Sequence, residues 1–118
     1  MRVKRGDVVL AWYPFSSGAG GKRRPCVIVQ NDEDNDLISN TVIVQIITNL
    51  GEFGDKSHFP ISIASPDGQK AGLLFDSMVS CNNLATIEIN LIDRVIGSLS
   101  PTLLGELNQC LKNALAIS

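Results

Sequence analysis

Along most of the chain, apolar and polar residues alternate in short stretches bounded by turn residues, a pattern of half-buried strands. Asp7 to Tyr13 (D-V-V-L-A-W-Y) is rich in β-branched and aromatic residues and reads as a strand that Pro14 ends. Ser16 to Gly21 (S-S-G-A-G-G) reads as a flexible loop, and Cys26 to Gln30 as a short buried strand. Asn31 to Asn40 reads as a polar turn region. Thr41 to Ile47 (T-V-I-V-Q-I-I) is the strongest strand, its apolar run broken by Gln45. Thr48 to Gly51 closes that strand, and Gly51 to Ser57 is a second loop. Phe59 to Ile63 reads as a strand that Pro60 pushes to a sheet edge, because proline cannot donate to a ladder. Asp67-Gly68 reads as a turn. Gly72 to Phe75, Met78 to Cys81, Ala85 to Ile89 and Val95 to Leu99 are shorter strand candidates.

Near the end the period changes. Ser100 fits an N-cap and Pro101 the first helical position. Leu103, Leu104, Leu107, Cys110, Leu111, Ala114 and Leu115 then recur every three or four residues, which makes one apolar helical stripe of about four turns. Many short strands in a small chain need closure or a covering element to protect their edges. The pattern therefore predicts a mainly β (α+β) chain, a small, partly open β-barrel with a C-terminal helix packed on it.

Composition narrows the class. With 118 residues, 44% hydrophobic and 19% charged, the chain fits a single domain over 1–118 and is too apolar for disorder. No apolar run approaches the ~20 residues of a membrane span. The N-terminus lacks the apolar stretch of a signal peptide, so the expected compartment is the cytoplasm. Cys26, Cys81 and Cys110 are an odd, widely spaced set without a Cys-x-x-Cys, which fits neither a disulfide framework nor a zinc site; they read as ordinary small core residues. No metal or cofactor is expected.

The net charge of −2 hides an asymmetry. Arg2, Lys4, Arg5, Lys22, Arg23 and Arg24 face only Asp7 within residues 1–24, whereas residues 25–118 are strongly acidic. A local basic patch able to meet an anion is compatible with this balance; a generic basic nucleic-acid coat is not. Gly18-Ala19-Gly20-Gly21-Lys22 fails as a phosphate loop, since Arg23-Arg24-Pro25 and a strand follow instead of Ser/Thr and a helix. Asp32, Asp34 and Asp36 have calcium-loop spacing, but Leu37 and Ile43 stand where glycine and glutamate are needed. His58 is the one histidine, so a paired-histidine acid/base mechanism within one chain is excluded. A Ser-His-Asp triad is compatible with the composition but has no Gly-x-Ser-x-Gly to support it.

A basic segment and a polar strand end remain. Pro25 holds Arg24 extended at the end of a glycine-rich loop, where its guanidinium can bind phosphate bidentately. Thr48 ends the most hydrophobic strand, where its hydroxyl can face solvent. If the two strands are neighbours, the pair can frame one phosphate. The same residues also fit plainer roles, Arg24 as the partner of a surface acid and Thr48 as the cap of a turn.

Arg5-Gly6-Asp7-Val8-Val9, the Gly20-Gly21-Lys22-Arg23-Arg24-Pro25 run, Cys26 to Asp32 and Val44-Gln45-Ile46-Ile47-Thr48 together resemble the MazF/PemK family of toxin endoribonucleases. The likeness continues through Leu84 to Glu88 and Ile96 to Ser100, so it covers nearly the whole chain. It implies an SH3-like, partly open barrel of the CcdB/MazF-like type, assembled as a homodimer. It implies sequence-specific, metal-independent cleavage of single-stranded RNA, including mRNA, which inhibits translation and growth. It also implies neutralisation by a cognate, MazE-like antitoxin with an acidic tail. The family's catalytic Arg and Thr fall on Arg24 and Thr48. The chain departs from the family's Arg-Cys-Asp-Gln-x-Arg-Thr pattern, with Ser80 for the first Arg, Asn82 for the acid and Ala85 for the second Arg. The branch that relies chiefly on the Arg–Thr pair fits better than the branch that uses that first Arg and acid.

Base recognition is expected from stacking and base-edge hydrogen bonds. Phe15, Phe53 and Phe59 are available to stack, although Phe59 and Trp12 equally suit the core or a dimer contact. Ser17, Asn49, Asn82 and Asn83 are available to hydrogen-bond, and Lys22 and Arg23 to meet phosphate. His58 suits three roles: an exposed loop residue, an RNA contact, or the acceptor of the attacking hydroxyl's proton. The alternatives are a non-catalytic toxin of the same fold that binds DNA gyrase, or a weakly active RNA-binding member. The single Trp, at position 12 rather than near the C-terminus, argues against the gyrase reading.

Overall fold

The computed structural model describes residues 1–12, 22–48 and 55–118. Six strands form one antiparallel sheet that does not close on itself. They are β1 (Asp7–Trp12), β2 (Arg23–Ile28), β3 (Asn40–Ile47), β4 (His58–Ile61), β5 (Ser77–Glu88) and β6 (Ile92–Ser98), in the order β4-β5-β3-β2-β1-β6. Pro60 lies on the edge strand β4, as its missing N–H requires. The two segments Met78 to Cys81 and Ala85 to Ile89 belong, Ile89 apart, to one strand, β5. The register explains the polar interruption between them: Val44 of β3 pairs with Leu84 but the next residue, Gln45, pairs with Ser80. Cys81, Asn82 and Asn83 therefore bulge out of the ladder, and Cys81 N–H donates instead to the Ser57 carbonyl at 2.9 Å.

Each face of the sheet carries its own apolar cluster. On one, Val8, Val27, Val44, Ile46, Phe59, Ile61 and Val79 pack beneath the C-terminal helix α3 (Pro101–Leu115), which contributes Leu103, Leu107 and Cys110. Phe59 is thus a core residue and not a surface for stacking a base. The helix begins as its sequence predicts, with the Ser100 hydroxyl accepting from Leu103 N–H at 3.2 Å and Pro101 in the first turn. On the other face, Val9, Ala11, Cys26, Ile28, Ile43, Ala85, Ile87 and Ile92 form the second cluster. The Arg5-Gly6-Asp7 run serves the fold. Arg5 donates to the Val29 carbonyl at 3.0 Å and to Asn108 of α3 at 2.8 Å, and Asp7 accepts from Lys4 N–H at 2.9 Å.

Three segments differ from their sequence pattern. The polar run after Gln30 is not a turn region throughout: Asp32–Leu37 is a short helix, α1, capped by Asn31, whose side chain accepts from Asp34 N–H at 2.8 Å. Three acids in its first turn suit the positive end of the helix dipole. Asp67-Gly68 likewise lies inside a helix, α2 (Pro66–Ala71), capped by Ser65. Gly72 to Phe75 is not a strand. Gly72 takes φ +73° to close α2, and Leu74 and Phe75 are exposed. A β-carbon on Gly72 would stand 2.0 Å from the Ile96 carbonyl oxygen, so α2 and the edge strand β6 approach backbone to backbone.

Candidate functional site

Directly opposed residues in a ladder share a face of the sheet, and residues two apart on one strand do too. Those two rules assemble the site. His58 pairs with Ser80, Ser80 with Gln45, and Gln45 with Cys26, across β4, β5, β3 and β2. Arg24 is two residues from Cys26. Arg24, Gln45, Ser80 and His58 therefore occupy the face opposite α3, on the same face as the second apolar cluster and nearer the end where β2 begins and β3 ends. The neighbour condition for Arg24 and Thr48 is met, because β2 and β3 are adjacent. Continuing their register sets Arg24 beside Ile47. Alternation turns Arg24 toward the Gln45 face and Ile46 toward α3. By the same alternation Thr48, one residue past the end of β3, follows Ile46 rather than Arg24, and it is exposed.

The cations differ in how they are held. Arg23 donates to Asp93 of β6 at 2.8 Å and lies 5.8 Å from the Trp12 ring centre, so it is braced across the sheet's edge. Arg24 is half-buried, and the ion pairs among the described residues, Arg2–Asp36, Arg23–Asp93 and His58–Asp55, leave it out. Lys22 is exposed just before β2. Ser17, Phe15, Asn49 and Phe53 lie outside the described residues.

Ser80 is the hub of a polar cluster. It is 0% exposed. Its Oγ donates to Asn82 Oδ1 at 2.9 Å, accepts from Asn83 Nδ2 at 2.7 Å and lies 3.0 Å from His58 Nε2. A hydroxyl has one proton. With that proton on the bond to Asn82, the tautomer of His58 that carries hydrogen on Nε2 completes the set by donating to Ser80. His58 is not an exposed loop residue: it opens β4 and its side chain is 13% exposed. Its Nδ1 faces Asp55 Oδ2 at 3.9 Å. The Asp55 carboxyl is held below its ordinary range, first by the Ser57 backbone N–H and also by His58. Asn82 and Asn83 are exposed at the bulge.

The cysteines are unsuited to nucleophilic work. Burial pushes the Cys26 thiol up to about 12 despite the nearby Arg24 charge, and burial with the neighbouring Cys110 does the same for Cys81. No group of three His, Cys, Asp or Glu among the described residues is placed to hold a metal ion. No helix among them is long and apolar enough to cross a membrane.

Sequence reasoning passed over Gln45, Asp55 and the linking role of Ser80. Gln45 carried a usable signal, as the polar residue that interrupts the apolar run Val42 to Ile47. Ser80 carried none until register joined three strands.

A family model described as the PemK-like, MazF-like toxin of type II toxin–antitoxin systems matches residues 4–115. No curated protein matches the chain. Among solved structures, the Mycobacterium tuberculosis toxin MazF-mt6 superposes with a TM-score of 0.77 at 23% identity, over 95% of this chain and 98% of that one. An endoribonuclease in complex with its cognate antitoxin, from a mycobacterial species, gives 0.76 at 20% identity, over 98% and 97%. A MazE–MazF structure from Deinococcus radiodurans gives 0.76 at 14% identity over the whole of both chains. Identities this low speak for the fold alone, whereas the family match spans nearly the full sequence. The chain belongs to the PemK-like, MazF-like toxins of type II toxin–antitoxin systems.

Proposed function

We propose that this toxin is a sequence-specific, metal-independent endoribonuclease that cuts single-stranded RNA, including mRNA, and so stops translation and growth. It acts in the cytoplasm as a homodimer and is held in check by a cognate MazE-like antitoxin. The observation that carries the reading is the adjacency of β2 and β3, which brings an arginine outside the described ion pairs and a strand-end threonine to one margin of the sheet. The attacking group is the RNA's own 2′-OH. Its oxygen gives up its proton and bonds to the adjacent phosphorus, the bond to the 5′ oxygen breaks, and that oxygen takes up a proton, so the products carry a cyclic phosphate and a 5′-OH. Negative charge builds on the non-bridging oxygens in between. The Arg24 fork neutralises that charge, and the Thr48 hydroxyl donates to the same phosphate once the backbone past Ile47 turns it there. One preorganised donor of this kind contributes about 3–4 kcal/mol. Lys22, Arg23 and Ser17 hold the flanking chain, Asn82 and Asn83 meet the bases, and His58 supports them through Ser80.

Incubating the purified chain with a long unstructured RNA in EDTA tests this. Discrete fragments are expected, lost in both Arg24→Ala and Thr48→Ala. Cleavage by folded Arg24→Ala at the wild-type rate overturns the catalytic assignment. RNA retained but uncut by the wild type favours a binding module instead.

A further inference from the structure

We infer that buried Ser80 sets the base preference of this toxin by locking the Asn82 carboxamide with its NH2 end outward, selecting a base that presents a carbonyl rather than an amine. The inference deepens the proposed RNA-binding reading and rests on it. The Ser80 hydroxyl has one proton and two lone pairs. Asn83 Nδ2 can only donate to it, and Asn82 Oδ1 can only accept from it, at 2.7 and 2.9 Å. His58 Nε2 lies at 3.0 Å, and the tautomer with hydrogen on Nε2 fills the second lone pair as a donor. In that tautomer all three positions of the hydroxyl are committed, and none is left to tolerate an inverted Asn82. A reversed carboxamide would face the Ser80 oxygen with N–H where its proton already lies. The carboxamide is planar and its two ends diverge from Cγ, so an oxygen turned to Ser80 turns the amino group away. Asn82 is exposed, and the bulge lifts it out of the ladder on the face that carries Arg24.

Two strand spacings and two residues along β2 separate Arg24 from Ser80, about 12 Å, so one extended oligonucleotide reaches both. An outward NH2 needs an acceptor. At the discriminating ring position uracil and guanine offer a carbonyl oxygen, while cytosine and adenine offer an amine, and unpaired bases expose that edge. Ser80 is a positioning residue in this scheme and Asn82 the group that reads.

The test uses a short randomised RNA pool with 2′-fluoro sugars, which bind but lack the attacking hydroxyl. The fraction retained by the full chain is sequenced. At one position the wild type is expected to enrich uracil and guanine over cytosine and adenine by roughly tenfold, the scale of one hydrogen bond met rather than opposed. Asn82→Asp keeps an acceptor toward Ser80 and turns a second one outward, so the preference inverts toward cytosine and adenine. Ser80→Ala frees the carboxamide to rotate, so the preference falls to near unity. A wild-type pool without that bias, or the same bias in Asn82→Asp, overturns the inference; Asn82 lies on the surface, so that variant folds even if Ser80→Ala does not. The endoribonuclease reading fails separately: a chain that shows the bias yet leaves ordinary RNA uncut refutes the cleavage and keeps the preference.

Discussion

The two faces of the sheet solve opposite problems with the same strands. Beneath α3, every side chain of the row Val27, Val44, Ile46, Val79 and Phe59 is buried and apolar, and its only requirement is volume and shape. On the other face the row Arg24, Gln45, Ser80 and His58 is polar, and each group needs a defined partner or a ligand. A helix can cover the first face because Leu103 and Leu107 ask nothing directional of it. The second face is polar where β2 begins, and this is where a charged substrate has something to gain. The comparison teaches that stability and chemistry are divided between faces, and that each can be changed without the other.

The largest expected effect lies on the polar face. Replacing Arg24 by Ala is expected to lower the cleavage rate by about 10²–10³-fold, the loss typical of one preorganised donor to a developing oxyanion. Its melting temperature should match wild type closely, since Arg24 belongs to neither apolar cluster and to none of the described ion pairs. A gel assay of RNA cleavage beside a thermal melt reads both. A variant that lost stability and activity together would merge the two faces into one unit.

Leu107→Ala is the converse. Leu107 is 0% exposed in the α3-covered cluster, and emptying such a site costs about 2–5 kcal/mol. Urea unfolding is expected to show that loss, with the cleavage pattern unchanged in whatever fraction stays folded. This face was also the one legible in the sequence. The three- and four-residue spacing after Ser100 and the alternation of Thr41 to Ile47 follow from burial on one side, which is a local property. The short helices α1 and α2 were not legible in that way. At six residues each they are too short to show a period, and only their caps, Asn31 and Ser65-Pro66, carried a signal. Arg24 and Thr48 were legible as a charge before a proline and a hydroxyl at a strand end. The Ser80 cluster was not, because Ser80 and His58 are joined by a strand pairing that spans 22 residues.

On the polar side's row, in the second apolar cluster, lies Cys26, fully buried. Its thiol is pushed up to about 12 from an ordinary 9.0. The folded chain therefore holds this proton more tightly than the unfolded chain does. Stability from Cys26 is complete below pH 9 and is lost as pH rises from there toward 12, by about 1.4 kcal/mol per unit at most. Denaturant midpoints measured across that window should fall for the wild type and fall less for Cys26→Ala or Cys26→Ser. Equal slopes would mean that the thiol is reached by water and that the apolar cluster ends short of it.

The smallest effect sharpens the division most cleanly. Gly105 lies in the middle of α3 on its outer side, and a β-carbon placed there meets nothing within 4 Å. Its backbone is helical, so alanine fits without strain. Gly105→Ala removes unfolded-chain entropy and improves helix propensity, a gain of up to about 1 kcal/mol. For a chain of this size that raises the melting temperature by only a few degrees. The helix it strengthens covers the face opposite Arg24, Gln45, Ser80 and His58, so the cleavage rate and the cleaved sequence should both match wild type. If the stabilised variant instead cuts more slowly, the helix and the polar row are mechanically linked through β5, where α3 packs on Cys81 next to Ser80. The sheet would then transmit strain from its structural face to its chemical one.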